Sequence, residues 1–84
     1  MTTPADLRTD VRAIVAEVLG LMPEEIADDA DFEDDLGGES LQKLEVIVQV
    51  ERLLDIRFAD GDAANMTSVG AIVDLAQRRV PAGP

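Results

Sequence analysis

Ser40 stands in the run Asp35-Leu36-Gly37-Gly38-Glu39-Ser40-Leu41, where an acidic stretch with two glycines gives way to an apolar helical pattern. A serine at such a junction is a helix cap, a point of covalent attachment, or both. The chain contains no His and no Cys, so neither a Ser-His-Asp nor a Cys-His arrangement can form, and soft metal sites are excluded. Any chemistry at Ser40 is therefore expected to depend on a partner, with no catalytic residue in the chain itself. Gly37 and Gly38 free the backbone just before the hydroxyl and let another surface come close. The positive end of a helix starting here would favour a phosphate ester on the serine.

Carboxylates are the other residues that could do chemistry, and calcium is the ion to test against their spacing. A loop starting at Asp29 would place Asp31 and Glu33 as ligands, but Asp34 stands where glycine is required and Ser40 where a bidentate Glu belongs. A loop starting at Asp31 puts Leu36 at the glycine position and Gln42 at the end. Neither register is an EF-hand, so a regulatory calcium protein is a remote alternative and no specific metal site is expected. A solvated acidic face is the commoner meaning of such a run.

These residues must be positioned by helices. Thr3-Pro4 reads as an N-cap followed by a proline at the first helical position, with Asp6 at capping-box spacing. Leu7, Val11, Ile14, Val15 and Val18 then fall on one face of an amphipathic helix that Gly20 is placed to end. From Leu21 to Glu39 the chain reads as a long acidic loop, pinned by Ile26, Phe32 and Leu36. A second helix is predicted from Ser40 or Leu41 to about Leu54, and a short helical turn within 56–66. The last helix starts after Thr67 or Ser68 and carries Val69, Ile72, Val73, Leu75 and Ala76, with Arg78 and Arg79 at its C-terminal end.

Wound at about 100° per residue, the second helix places Val46, Ile47, Val50, Leu53 and Leu54 in one broad core stripe. Leu41, Leu44 and Val48 fall on the other side, flanked by Glu45 and Glu51. Scattered surface hydrophobes need no explanation, and the last helix could cover part of this strip. Three aligned below Ser40 with acids on the rim suggest a docking site instead. Lys43 falls on the edge of the core stripe, where its stem can lie on apolar surface while the ammonium reaches water.

Composition bounds the rest. At 84 residues, with Phe32 and Phe58 the only aromatics, the core must be Leu, Ile, Val and Ala at helical spacing. The fold class expected is all-α: a small four-helix bundle of three main helices plus a short third one, with the long acidic loop between the first two. One domain is expected over residues 1–84, its core about 4–79 and residues 80–84 a frayed tail. Seven basic residues against a net charge of −11 argue against nucleic acid and toward basic protein partners. There is no disulfide framework, leader pattern or membrane span, so a cytoplasmic monomer is expected.

The run Asp35 to Leu41, followed by Leu44, Glu45 and Val46, resembles the attachment motif of acyl and peptidyl carrier proteins, commonly Leu-Gly-x-Asp-Ser-Leu. The resemblance extends over nearly the whole chain, through the first helix, the acidic loop with Phe32, Ile56 and Phe58, and Thr67-Ser68-Val69. It implies that Ser40 carries 4'-phosphopantetheine, transferred from coenzyme A by a phosphopantetheinyl transferase. It implies further that Leu41, Leu44 and Val48 are apolar partner contacts, with Glu39, Glu45 and Glu51 as acidic ones. The partners implied are that transferase, an acyl- or aminoacyl-loading enzyme, and a ketosynthase or other biosynthetic enzymes with basic docking surfaces. Glu39 replaces the usual Asp. Gly37-Gly38, in place of Gly followed by Ala or Met, leans toward the peptidyl variant, whereas the acidity and Glu45 and Glu51 look like free-standing acyl carriers. The reading reached is a discrete, non-catalytic acyl carrier that holds acyl intermediates as thioesters. A specialised, polyketide-like pathway is favoured over housekeeping fatty-acid synthesis. The alternatives are a free-standing peptidyl carrier of nonribosomal peptide synthesis and an unmodified acidic helical interaction module in which Ser40 only caps.

Overall fold

The computed structural model describes residues 4–79. The Thr3 cap and the 80–84 tail lie outside the described residues. Three α-helices make up the frame: α1 (Pro4–Leu19), α2 (Ser40–Leu54) and α3 (Val69–Arg79), with no strand among the described residues. The short third helix of the expected bundle is a single 3-10 turn, Asp62–Asn65, and a further 3-10 turn, Pro23–Glu25, follows α1.

Helix α1 is the common packing partner of α2 and α3. Leu7, Val11, Val15 and Ala16 of α1, Val46 and Val50 of α2, and Val69, Ile72, Val73, Leu75 and Ala76 of α3 are buried in one core, joined by Ile26, Phe32, Ile56 and Met66 from the connections. Aliphatic side chains at helical spacing therefore supply most of the apolar burial that stabilises the chain, and the connections supply the rest.

Both helix ends that matter follow from local chemistry. Gly20 takes φ +71°, and the N–H groups of Gly20 and Leu21 donate to the carbonyls of Glu17 (3.4 Å) and Ala16 (2.9 Å), the double bond that closes a helix with a left-handed residue. At the end of α2 the same left-handed position is held by Asp55 at φ 54°, and Ile56 N–H donates to the Glu51 carbonyl at 3.1 Å. Asp tolerates that conformation better than most non-glycine residues. Helix α3 starts where Ser68 Oγ accepts the Ala71 N–H at 3.1 Å, an N-cap at one of the two positions expected.

The connection from Leu21 to Glu39 is more ordered than a pinned, wet loop. Ile26 and Phe32 are buried and Leu36 is half-buried, so the three expected anchors do reach the bundle. Several of its carboxylates, however, bond to backbone. Glu25 accepts the Met22 N–H at 2.7 Å, Asp31 Oδ1 accepts the N–H groups of Glu33 and Asp34 at 2.9 and 2.8 Å, and Asp35 accepts the Asp31 N–H at 2.7 Å. Asp28 pairs with Arg8 at 3.2 Å and also with Arg12. Asp31 thereby caps a turn closed by Gly37 at φ +70°, which brings the chain round to α2.

Candidate functional site

The first residue of α2 is Ser40, and its N-cap is Glu39, extended at φ −105° and ψ 162°. The Lys43 N–H donates to the Glu39 carbonyl at 3.0 Å, and the Glu39 N–H donates to Gln42 Oε1 at 2.9 Å. The capping role that the sequence offered to Ser40 is therefore filled by the pair Glu39 and Gln42. The E-x-x-Q spacing was a legible signal of this, because a reaching Gln at the third helical position is half of a capping box. Ser40 itself is exposed, and among the described residues its hydroxyl has no hydrogen-bond partner.

Beneath the junction lies Phe32. Its N–H donates to the Thr67 carbonyl at 2.7 Å and its carbonyl accepts the Gly38 N–H at 2.8 Å, which ties the start of α2 to the segment leading into α3. The ring presses on the Gly38 backbone so closely that a Cβ there would lie 2.2 Å from a ring carbon. Sequence spacing carries no signal of this contact, since it depends on how the turn between the two residues closes. A free hydroxyl is thus presented on a rigid helix start, with two glycines on one side and the N–H groups of the first helical turn on the other. Lacking a neighbouring base, it suits an ester anchor better than a nucleophile, and the helix end favours a phosphodiester there.

Below Ser40, Leu41, Leu44 and Val48 are exposed at 76%, 55% and 38% of their surface, and Glu39 and Glu45 are exposed beside them. The last helix leaves this strip uncovered. Glu51 is only half-buried, and its Oε2 accepts the Phe58 N–H at 2.9 Å, so part of its carboxylate fastens the α2–α3 connection, a role the sequence did not suggest. Leu53, expected in the core stripe with Val46, Ile47, Val50 and Leu54, is instead 48% exposed. It lies at the edge of the α1–α2 contact, beside Ile14, Gln49 and Arg52 in a groove that no third element fills. Lys43 is half-buried and lines a cleft of about 310 Å³ with Asp31, Phe32, Glu33, Asp34, Ala64 and Thr67.

In the α2–α3 connection Asp62 is buried, its Oδ2 accepting the Ala59 N–H at 2.8 Å while Arg79 grips both carboxylate oxygens at 2.9 to 3.2 Å. The Ala59 hydrogen bond, helped by Arg79 and Arg78 against the opposing effect of burial, holds the Asp62 carboxyl below its usual range. The sequence reading gave Arg79 only a helix-dipole role and gave Asp62 none.

Residues 9–76 match the family model described as "Phosphopantetheine attachment site". The chain is also 35% identical over 78 residues to the acyl carrier protein of Exiguobacterium sibiricum, a match that covers 93% of this chain and 99% of the relative. The chain belongs to the acyl carrier protein family. It is a non-catalytic carrier with a domain for the covalent attachment of 4'-phosphopantetheine. Such a carrier works with a phosphopantetheinyl transferase and with the biosynthetic enzymes it serves. No helix among its described residues is long and apolar enough to cross a membrane, and no group of three acidic side chains among them could hold a metal ion.

Proposed function

We propose that Ser40 Oγ is the attachment point of the 4'-phosphopantetheine arm and that the chain is a discrete acyl carrier serving a specialised, polyketide-like pathway in the cytoplasm. The observation that carries this reading is the exposed, unpartnered Ser40 hydroxyl at the start of α2, with capping already provided by Glu39 and Gln42. The bound arm supplies a terminal thiol that holds the acyl group as a thioester. The protein's own residues do the rest. Phe32 and Gly38 fix where the hydroxyl stands, the first turn of α2 directs its N–H groups toward the anionic ester, and Leu41, Leu44 and Val48 with Glu39 and Glu45 receive the partner's apolar and basic groups, while Glu51, held by the Phe58 N–H, borders that surface. Those partners would be the transferase, an acyl-loading enzyme and a ketosynthase or similar enzyme. Tethering raises the effective concentration of the intermediate at each partner's site.

The 35% identity to an acyl carrier protein supports the carrier reading, and the absence of Cys fits a reducing compartment. Gly37-Gly38 favours one second reading, a peptidyl carrier loaded with an aminoacyl group. Incubation with coenzyme A and a broad-specificity phosphopantetheinyl transferase should add one prosthetic group to the wild type and none to Ser40→Ala, as read by intact mass. Because Ser40 is not the N-cap, Ser40→Ala should change stability by no more than about 0.5 kcal/mol. A wild type that stays unmodified would sink the proposal and leave the unmodified interaction module. The intact mass of protein taken from its own cell would identify the cargo and so separate acyl from aminoacyl carriers.

A further inference from the structure

The exposed strip on α2 does not end at Val48. Positions 41, 45, 48 and 52 follow one another at i, i+4, i+7 and i+11, so Arg52 continues the face that carries Leu41, about 16 Å further along the axis. Arg52 is exposed, as is Arg57 just beyond the left-handed Asp55, and neither has an ion-pair partner among the described residues. The two arginines border a shallow cleft of about 360 Å³ with Val48, Glu51, Asp55 and Ile56. The Glu51 carboxylate is held by the Phe58 N–H, which also fixes the strand of loop that carries Arg57.

We infer that this strip is divided by charge and that its lower end receives a carboxylate from the partner. The Ser40 end is rimmed by Asp35, Glu39 and Glu45, all exposed, and there the complementary groups are bases. At the other end Glu51 and Asp55 bring the cleft near neutrality, so an acidic group can approach where the rest of a surface of net charge −11 would repel it. Guanidinium groups offer planar forks suited to carboxylates. The occupant is therefore a partner surface with an apolar anchor over Leu44 and Val48, basic residues toward Ser40, and an Asp or Glu over Arg52 and Arg57. A partner built this way binds in one polarity only, which points its active site toward the arm. This rests on the carrier reading of Ser40.

Two synthetic helical peptides of equal length and identical leucine spacing test it, one with lysine at every rim position and one with lysine in one half and glutamate in the other. Fluorescence anisotropy at low salt would measure their binding to the phosphopantetheinylated protein and to its Arg52→Glu/Arg57→Glu variant. The mixed peptide should lose about fivefold in affinity on the double substitution, the order expected of two exposed ion pairs, while the all-lysine peptide gains. Equal gains for both peptides would overturn the inference, because the arginines would then only dilute the acidity of the surface. Arginine-dependent binding to phosphatidylglycerol vesicles, with no discrimination between the peptides, would overturn it in favour of a lipid occupant. Failure of Ser40 to accept the arm, seen by intact mass of the wild type, would defeat the carrier reading separately from either result.

Discussion

The two long connections of this small bundle are held by different mixtures of bonds: the first leans on local ones, with Asp28 paired to Arg8 and Arg12 of α1, and the second leans on side chains of the helices. Between α1 and α2, carboxylates bond to backbone N–H groups two to four residues away: Glu25 to Met22, Asp31 to Glu33 and Asp34, Asp35 to Asp31. Between α2 and α3, one such local bond, from the Ala59 N–H to Asp62, is joined by two from the helices, with Glu51 reaching Phe58 and Arg79 reaching back across seventeen positions to Asp62. Local bonds of the first kind need little tertiary structure to form, whereas the Arg79–Asp62 bond exists only once α3 is folded back on the turn Asp62–Asn65. Ser40, the proposed attachment point, sits at the end of the first connection, so its placement owes most to self-contained turns and to one buried ring. Phe32 joins the two systems through its bond to the Thr67 carbonyl.

Removing the buried anchor from each connection gives the largest expected effects. Phe32→Ala should lower unfolding free energy by about 3–5 kcal/mol and Met66→Ala by about 2–5 kcal/mol, since both side chains are buried in the core. Urea denaturation measures both. A cost under about 1 kcal/mol for Phe32→Ala would mean that the first connection stands on its local bonds alone.

Gly38→Ala sharpens the comparison at the ring itself. The added methyl meets Phe32 and should cost about 1–3 kcal/mol by overpacking. Combined with Phe32→Leu, the same substitution should cost less, and a double-mutant cycle would read the coupling. Strict additivity would show that the ring moves aside without penalty. Asp31→Ala, which removes the cap of the turn before Gly37, should cost about 1 kcal/mol and leave the α2–α3 connection unaffected. Loss of hydrogen-exchange protection confined to residues 31–38 would match the local character of these bonds.

The smallest effect is specific to acid. The Asp62 carboxyl is held below its usual range, so its stabilisation is complete above the ordinary carboxylate value and disappears as pH falls through the lowered one. Asp62→Asn should therefore melt below the wild type at neutral pH, and the gap should close below about pH 4. A gap that persists unchanged in acid would show that the Arg79 grip does not depend on the carboxylate charge.

Much of the site was legible because it lies on a helix. The exposure of Leu41, Leu44 and Val48 follows from a 3.6-residue period once Val46 and Val50 are buried, and the start and end of α2 fell within the expected bounds. The capping assignment went to Ser40 because serine is the stronger cap by type, although the spacing of Glu39 and Gln42 held the better answer. Leu53 was misplaced because a helical wheel gives the direction of a side chain but not whether a neighbouring helix extends far enough to cover it.

Periodicity, the left-handed Gly20 and the attachment motif are properties of short stretches of chain, and for that reason the sequence alone determined the helices, their order and the serine at the head of α2. Three features were decided only by the tertiary structure: the Phe32 ring against the Gly38 backbone, the burial of Asp62 in the grip of Arg79, and Leu53 left at an open edge. The first depends on how the turn between residues 32 and 38 closes, and the other two on the distance between segments remote in sequence. Those distances are set by how α1 packs against α2 and α3 together, which no local pattern of residue types records.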